Sequence, residues 1–557
     1  MKIFKVLVEV ESWRRNENMK ILFLRGKFQT KISIYFLSGL FIIICVFFSL
    51  GGQKDIWFCD EVYTYMSANA DSGAFDVVFS QENEWLSGDD VVDYLSANDR
   101  SLHFKSIADN LFSDHVPLYF FLFRICSILS LGTCSKWIGL SLNLLFFIVF
   151  YACMWKFFHN LAGGGIYNLV KLITILAIMF QPIVLSETLT IRMYLMFSVA
   201  QILFLLILNK DDHSIKGTIL LCLTTIFGML THFYFWIWLL FFSVGYFIYL
   251  LVLALLKKNG YYPIISYVIT MICSLFVTTL IFPNWITNIF FNESSKGNRS
   301  LMKILELDSL KEEMIAAIKI ICSHLSANND EVVVFTLFVI TMAVYVYLKQ
   351  TDYKIVLICI SSVIYAVFVQ HTQPSEEGRY LWSSSILLYI AFLYMLLKDM
   401  EIIASKYLKN KKKTKLWIPL VGISCFLLIA IKNSINLDNI IYLRNRTPEQ
   451  YQAIKDASDL PWIVFHDNTD WVFLCSMYDF TIPEKVKRCG TDVQASYDEV
   501  IENSKELIVY TIENNKTIDE CLQYITDSCD KKVIDYEQIS QSYAMSVYHI
   551  SLQAEEE

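Results

Sequence analysis

The chain has 557 residues, of which 55% are hydrophobic, 15% are aromatic and only 18% are charged, and its formal net charge at pH 7 is −8. A soluble globular domain normally carries about a quarter charged residues, so this composition, with a mean hydropathy of +0.45, excludes an ordinary soluble protein. Repeated apolar runs of about 16–22 residues are each long enough to cross a bilayer. The sequence therefore predicts a multi-pass membrane protein.

Eleven apolar segments are predicted as membrane spans. The first has basic residues before it, as a signal peptide does, but it is about twenty residues long and many apolar runs follow it, which favours a retained span. The predicted spans are residues 32–50, 137–158, 166–185, 193–208, 216–231, 233–256, 262–283, 331–348, 354–370, 380–398 and 415–432.

A twelfth apolar stretch, residues 117–131, is assigned by charge, because loops rich in Lys and Arg stay cytoplasmic. If it spanned the membrane, Lys257, Lys258 and the KNKKKTK run at 409–415 would lie outside. The stretch is also only about fifteen residues long and contains Arg124, so we predict a helix lying in the outer membrane interface. The N-terminus is then cytoplasmic and the C-terminus extracytoplasmic, and the Lys-, Asn- and Ile-rich composition favours a bacterial plasma membrane.

The predicted organisation has three parts. Residues 1–31 form a cytoplasmic segment, and residues 32–432 form an all-α transmembrane domain with outer loops at 51–136 and 284–330. Residues 433–557 carry 23 acidic and 10 basic residues, and short β-type runs there alternate with helix-compatible stretches. These runs, at 462–465, 507–511 and 545–550, predict a small extracytoplasmic α/β domain, which is large enough to bury a core of its own.

The fourteen cysteines do not predict a disulfide scaffold. Six of them lie in apolar runs, where cysteine packs as a small hydrophobic residue. Cys475, Cys489, Cys521 and Cys529 lie in the polar C-terminal part, and their spacing leaves the pairing open. No C-x-x-C or H-x-x-x-H spacing indicates a metal site. We therefore expect no cofactor, although the acidic first outer loop offers weak sites for a divalent ion.

Polar and ionisable residues collect at the outer ends of the predicted spans. Ionisable groups near membrane level are costly, so they usually line a functional cavity. Residues 60 and 61, as neighbours on a helix, diverge by about 100° and are not expected to share one task. The collected residues are Asp60, Glu61, Asp114, His115, Glu187, Arg192, Tyr194, Thr231, His232, Tyr234, His371, Glu376, Glu377, Arg379 and Tyr380.

Each of these residues also has a plainer interpretation. Arg192 and Arg379 could reach from helix ends towards water, and His232 could be a turn histidine with its hydrogen bonds satisfied. Glu187 could simply pair with Arg192. The acidic pair at 60–61 could be the solvated first turn of a helix, where the helix dipole favours negative charge.

The order of the motifs resembles the GT-C superfamily of polytopic glycosyltransferases, in particular the protein O-mannosyltransferase and aminoarabinose-transferase branches (family 39-like). The resemblance covers about residues 30–400. One departure is Val116, where the family usually has proline. The motifs that carry it are Asp60-Glu61 after the first span, DHVPLY at 114–119, ETLTIRMY at 187–194, THFY at 231–234 and Arg379-Tyr380 at a late span.

The resemblance implies a GT-C-like fold that transfers a sugar from a polyprenyl-phosphate donor to an acceptor hydroxyl at the outer face, with inversion. Asp60 would then be the general base, and Glu61 would orient neighbouring groups or bind the acceptor. The acceptor, whether protein, lipid or wall polymer, stays open, and nucleic acid is not expected as a partner. The residues implied to bind the donor phosphate are Arg192, Tyr194, Arg379 and His232, with Asp114, His115, Glu187 and Tyr380 in support.

Two other classes of function fit the same topology. A transporter or flippase for a lipid-linked or anionic substrate would place charges or Gly/Pro breaks at mid-membrane depth in several spans, whereas the polar residues here cluster at one face. A sensor with an outer ligand domain would leave the pairing of Asp60 with Arg192 unexplained. A transferase must hold these two side chains within about 10 Å of one cavity, because reacting groups have to be kept together.

Overall fold

The computed structural model describes residues 27–557, except 56, 70–82, 103–106, 108–114, 162–166, 211–213, 257–259, 294–295, 304–308, 327–330, 349–351, 375–377, 408–413, 445, 467–469, 491–493, 513–516, 543–544 and 555–557. The chain is mostly helical, with one sheet near the C-terminus. The helices before the sheet domain are Lys27–Gln53, Cys59–Asn69, Gly88–Leu95, Leu118–Ile128, Lys136–Phe157, Tyr167–Met179, Pro182–Leu189, Tyr194–Leu208, Ile215–Met229, Phe233–Leu255, Tyr262–Ile281, Asn284–Phe290, Lys296–Lys303, Leu310–Ser326, Glu331–Tyr347, Tyr353–Thr372, Trp382–Tyr407 and Thr414–Ile435.

Each of the eleven predicted spans coincides with a helix or a helix pair. Within the described ranges, six helices are long and apolar enough to cross a membrane, and two bent helix pairs raise this number to at most eight. Other predicted spans correspond to shorter helices, such as Tyr194–Leu208 and Ile215–Met229. The count of eleven, the orientation of the termini and the identity of the membrane therefore stay predictions.

The predicted span at 166–185 is two helices rather than one. Asn168–Met179 and Pro182–Leu189 meet at an angle of 63°. The residue before a proline is driven towards an extended conformation, and Gln181, with ψ of 132°, adopts it, so Pro182 opens the second helix at a first-turn position. Every residue of the Pro182–Leu189 helix is buried, which holds the start of the ETLTIRMY motif inside the protein.

The helix predicted for 117–131 is Leu118–Ile128, which follows directly after Pro117. Its arginine, Arg124, is only 3% exposed and does not reach towards water. It forms an ion pair with Asp99 and donates to the carbonyl oxygens of Ser101 at 3.2 Å and Asn69 at 3.3 Å. The helix is therefore fixed to the first outer loop, while its position at the membrane interface stays a prediction.

A six-stranded mixed sheet forms near the C-terminus, with the order β1-β3-β2-β4-β6-β5. Strands β2, β3 and β4 are parallel, and β6 and β5 continue the sheet antiparallel. The three β-type runs predicted from sequence lie in β2, β4 and β6 and are confirmed as strands. The strands are β1 Trp85–Leu86, β2 Pro461–His466, β3 Lys485–Gly490, β4 Glu506–Thr511, β5 Lys531–Ser542 and β6 Met545–Ala554, with helices Pro448–Asp456, Asp470–Ser476, Glu499–Asn503 and Ile518–Asp527 between them.

The first outer loop completes this sheet. Trp85 and Leu86 pair antiparallel with Lys487 and Val486 of β3, and the Trp85 indole N–H donates to Asp498 at 3.0 Å. The sheet is thus built from the strands β2 to β6 together with a short strand that lies far ahead of them in the chain, while the domain bounds 433–557 stay a prediction.

The two faces of the sheet bury different clusters, because successive side chains of a strand point to opposite faces. Ile463 and Phe465 pack with the Ile518–Asp527 helix in a separate core. Trp462 and Val464 belong to the large core that continues into the helical part of the protein. This face therefore rests on the helices.

Candidate functional site

The site is organised by the Cys59–Asn69 helix, which begins shortly after the first predicted span. Its first turn contains Asp60 and Glu61, where the helix dipole stabilises negative charge. The two carboxylates point into different surroundings, as the helix geometry predicts. The Glu61 side chain has no exposed surface, whereas that of Asp60 is 16% exposed.

Glu61 is bound on all sides by the protein. Its carboxylate forms an ion pair with the Lys54 ammonium at 3.0 Å and accepts hydrogen bonds from the backbone N–H groups of Phe58 at 2.8 Å and Ile191 at 2.7 Å. Burial raises the pKa of the Glu61 carboxyl, and the Lys54 ammonium and the two N–H donors oppose that rise. The orienting role expected for Glu61 fits these contacts, but acceptor binding does not, because no part of the side chain is accessible.

Asp60 lies between two guanidinium groups. Its Oδ1 is 3.8 Å from Nη2 of Arg192, and its Oδ2 is 3.5 Å from Nη2 of Arg379. The Tyr194 hydroxyl donates to the same Oδ2 at 3.3 Å. Asp60 and Arg192 are therefore close together, as the transferase hypothesis requires, while the cavity that it also requires stays a prediction.

Arg192 is held by contacts from two parts of the first outer loop. Its Nη1 donates to Oγ1 of Thr64 at 3.0 Å, and its Nη2 lies 2.9 Å from Nε2 of His115. Since a guanidinium can only donate, the His115 Nε2 is the acceptor and its proton lies on Nδ1. Arg192 is 1% exposed, so the interpretation that it reaches towards water is wrong.

Arg379 lies in the short helical turn Arg379–Leu381, just before the Trp382–Tyr407 helix. Gly378 ahead of it has φ of +60°, a conformation that glycine adopts without steric cost. The Arg379 guanidinium lies over the rings of Phe58 at 4.9 Å and Tyr380 at 5.2 Å, and it donates to the Tyr380 hydroxyl at 3.4 Å. Its side chain is 18% exposed, which leaves it open to a ligand.

His232 caps the Phe233–Leu255 helix, because its Nδ1 accepts the backbone N–H of Tyr234 at 3.0 Å. Its ring stacks on Tyr234 at 4.8 Å and Phe197 at 5.6 Å, with the Tyr194 ring 6.0 Å away. Burial, together with the nearby Arg192 charge, lowers the His232 pKa to about 3. The ring is then neutral near pH 7 and presents an Nε2–H donor. The interpretation of His232 as a turn histidine with its hydrogen bonds satisfied therefore holds for Nδ1 only.

Glu187 and His371 were collected from the sequence with the site residues, but neither is part of this arrangement. Glu187 is fully buried, and its Oε2 accepts from the Ser198 hydroxyl at 2.8 Å, while its Oε1 has no hydrogen-bond partner among the residues that the structure describes. The simple pairing of Glu187 with Arg192 is not what this geometry shows. Asp114, Glu376 and Glu377 lie outside the described residues. His371 belongs to a different cluster, where it contacts Glu313 and the carbonyl oxygen of Lys303.

Sequence reasoning missed four residues of the site: Lys54, Phe58, Thr64 and Tyr442. Lys54 had a detectable signal, because a lysine at the end of the first span that is predicted to lie outside runs against the cytoplasmic preference of basic residues. Phe58 and Thr64 lie beside the Asp60-Glu61 motif, but nothing in their type distinguishes them from their neighbours. Tyr442 lies outside the stretch that carries the family resemblance.

The arrangement offers an anion site rather than a cation site. Asp60, the most accessible carboxylate of this cluster, already faces two positive charges, which would repel a metal ion beside it. Within the described ranges, no group of three or more His, Cys, Asp or Glu side chains is close enough to hold a metal ion. The expectation that the protein uses no cofactor stays a prediction.

No family model matches this sequence, and no curated protein matches it. Solved structures with a similar shape include ArnT from Cupriavidus metallidurans, bound to undecaprenyl phosphate (TM-score 0.42, 9% identity, 92% of this chain and 97% of that one) and in the apo state (0.42, 10%, 93% and 98%). The Archaeoglobus fulgidus oligosaccharyltransferase, tethered to an acceptor peptide, is similar at TM-score 0.42 and 10% identity over 89% of this chain and 71% of that one. These likenesses are too distant to assign the chain to a family.

Proposed function

We propose that the protein is a membrane glycosyltransferase that moves a sugar from a polyprenyl-phosphate donor to an acceptor hydroxyl at the outer face of the membrane. The observation that carries this proposal is the position of the Asp60 carboxylate between the guanidinium groups of Arg192 and Arg379. One base and two fixed cations, beside apolar helices, are what transfer from a lipid phosphate needs.

Asp60 is the general base of the proposed reaction. A hydroxyl is a poor nucleophile until its proton is being removed, and the Asp60 carboxylate, which lies beside two guanidinium groups, is the group proposed to accept this proton. Asp60 is also accessible, whereas Glu61 next to it is fully buried. A single working carboxylate agrees with direct displacement, in which the acceptor attacks the face of the anomeric carbon opposite the leaving phosphate.

Arg192 and Arg379 stabilise the leaving group. As the acceptor oxygen bonds to the anomeric carbon, the bond from that carbon to the phosphate oxygen breaks, and the electron pair stays on the polyprenyl phosphate. Guanidinium groups present paired donors to phosphate oxygens, and donors that are already in place stabilise developing charge without reorganisation. The Tyr194 hydroxyl and the Nε2–H of His232 are further donors on the same side.

The test is transfer from radiolabelled polyprenyl-phosphate sugars in membranes that contain the wild type or Asp60→Asn. Removing a general base typically lowers the rate by about 10²–10⁴-fold, and Asn keeps the shape of the side chain. Asp459→Asn, which changes an exposed carboxylate of the α/β domain, is the matched control and should transfer at the wild-type rate.

Two results would contradict the proposal in different ways. If Asp60→Asn inserts normally and transfers at close to the wild-type rate, the base is another residue. If the wild type transfers from none of the donors, the protein is not a transferase of this class, and the transporter or flippase hypothesis gains weight.

A further inference from the structure

The segment between the last predicted span and the α/β domain passes directly beside the site. This connector, residues 436–447, is bonded to the start of the first outer loop, where the Lys54 ammonium donates to the Tyr442 carbonyl oxygen at 2.8 Å and the Asp55 N–H donates to the Leu443 carbonyl oxygen at 3.0 Å. On its other side, the Ile441 N–H donates to the Ser186 hydroxyl at 2.9 Å. The connector is therefore part of the wall around Asp60.

Tyr442 stands out in the connector by its backbone. Its φ is +59°, which is uncommon for a residue with a bulky side chain. Such conformations persist where the surrounding structure over-determines them, and they are enriched at functional sites. The carbonyl oxygen of Tyr442 is fixed by Lys54, which is itself paired with Glu61, so the strained residue and the Asp60-Glu61 motif are held by one set of contacts.

The side chain of Tyr442 reaches Arg379. Its ring stacks on Phe58, with centroids 4.1 Å apart and an angle of 15°, and its hydroxyl accepts from Nη1 of Arg379 at 3.5 Å. The same guanidinium uses Nη2 towards Asp60 and lies over Phe58. One edge of the guanidinium therefore faces the connector and the other faces the base.

We propose that Tyr442 is a positioning residue for Arg379, and that through it the connector sets the geometry of the donor-phosphate site. This inference rests on the proposed function, in which Arg379 binds the phosphate. When the donor arrives, the contact between Arg379 and Asp60 is exchanged for a contact with phosphate. The Tyr442 hydroxyl holds the opposite edge of the guanidinium throughout, so that its Nη2 stays directed at the site.

A side chain that is held in place before its ligand arrives costs less to order on binding. Arginine has a long side chain with much rotational freedom, so the loss of one fixed contact lets the guanidinium sample orientations that do not bind phosphate. Removing the Tyr442 hydroxyl should therefore weaken donor binding and leave the chemical step unchanged, because acceptor deprotonation by Asp60 does not involve Tyr442.

The experiment measures initial transfer rates over a range of donor concentrations for the wild type, Tyr442→Phe, Arg379→Lys and the double variant. Phenylalanine keeps the stack on Phe58 and removes only the hydroxyl. We expect the KM for donor to rise about 3–10-fold with kcat within about twofold, as for loss of one weak hydrogen bond that acts in binding. In the Arg379→Lys background, Tyr442→Phe should change the KM by less than about twofold, because residues that act through one another are not additive.

Tyr478→Phe is the matched control. Tyr478 belongs to the same α/β domain, and its ring stacks on Trp57 at 4.2 Å, so it tests whether any loss of a tyrosine hydroxyl at this interface has the effect. Its kinetics should equal those of the wild type. Thermal unfolding in detergent checks that Tyr442→Phe is folded, and the displacement of radiolabelled polyprenyl phosphate measures binding without turnover.

The outcomes separate this inference from the proposed function. Wild-type kinetics for Tyr442→Phe, or an equal KM effect in the Arg379→Lys background, would overturn the role of Tyr442 while leaving the transferase in place. If the wild type transfers from no donor but Tyr442→Phe weakens polyprenyl-phosphate binding, the positioning role stands and the transferase proposal fails. If the wild type transfers from no donor and Tyr442→Phe binds polyprenyl phosphate as tightly as the wild type, both the positioning role and the transferase proposal fail.

Discussion

Asp60 and Glu61 show how far one residue pair can be interpreted from sequence. The helical angle between neighbours was enough to predict that the two acids have different tasks. It did not show which acid is buried, because the partners of Glu61 are Lys54 and the backbone of Ile191, and the latter is 130 positions away. The accessible carboxylate of Asp60 and the buried carboxylate of Glu61 are therefore distinguished by their contacts and not by their residue types.

Glu61→Gln should destabilise the protein strongly while preserving the shape of the side chain. It leaves the Lys54 ammonium buried without its counter-charge, and breaking a buried pair on one side typically costs about 3–5 kcal/mol. The measurement is thermal unfolding of the purified protein in detergent, with the exposed-site variant Asp459→Asn as the control. Adding Lys54→Met should recover part of the loss, and a single variant as stable as the wild type would contradict the structural role.

His232 predicts a dependence of stability on pH. Its folded-state pKa is about 3, below the unfolded value of about 6.5, so the unfolded state binds more protons as the pH falls below 6.5. The contribution of His232 to the free energy of unfolding is therefore complete above about pH 6.5 and is lost as the pH falls towards 3. Between pH 7.5 and pH 5, this free energy should fall by about 2 kcal/mol.

The measurement for His232 is thermal unfolding at pH 7.5 and pH 5 for the wild type and His232→Asn. Asparagine is also a good helix N-cap but does not titrate. The variant should lose less stability than the wild type on acidification. An equal loss in both proteins would show that His232 is not the group that titrates.

At the scale of elements, the apolar runs predicted where helices form but not how they bend. Residues 166–185 were predicted as one span, because the length and hydropathy of a segment do not show whether the helix axis changes direction within it. Gln181-Pro182 was the only local sign of the 63° bend, and X-Pro also occurs at plain helix starts. The strand β1 was not predicted at all, because it has only two residues and exists through its pairing with β3.

Pro182→Ala tests whether the bend positions the site. Alanine removes the restriction on Gln181, so the two helices can approach a continuous helix and move Arg192 away from Asp60. We expect at least about a tenfold lower transfer rate, since small displacements of catalytic groups are costly. Pro419→Ala, which removes a proline inside the Thr414–Ile435 helix, is the control and should keep full activity; equal rates for both variants would contradict this role for the bend.

At the scale of the whole molecule, sequence predicted a C-terminal α/β domain but not its docking. The domain rests beside the start of the Cys59–Asn69 helix through the stack of Trp57 on Tyr478 and through the Asp470–Ser476 helix, which carries Cys475 and packs against the helix that begins at Cys59. These pairs are more than 400 positions apart, and no local pattern links them. The sequence left the pairing of the tail cysteines open. All fourteen cysteines of the chain are free thiols, and Cys475 lies in the core that the α/β domain shares with the helices.

Mild oxidation with copper phenanthroline should join Cys59 to Cys475, because the helix that carries Cys475 packs against the helix that begins at Cys59. The measurement is mass spectrometry of linked peptides after digestion without reducing agent. Cys521, which lies in the separate core on the far face of the sheet, serves as the internal control and should form no link to Cys59. The absence of a Cys59–Cys475 peptide under conditions that oxidise other thiols would contradict the docked arrangement.

The short strand at 85–86 limits how the α/β domain can be handled in isolation. A fragment beginning at residue 433 would lack β1, which covers the edge of β3 in the whole protein, and it would expose to water the sheet face that carries Trp462 and Val464. An open strand edge next to an uncovered apolar face is a template for intermolecular pairing. Expressed alone, the α/β domain would therefore tend to aggregate, and binding partners of this domain are better sought with the whole protein in a membrane or detergent.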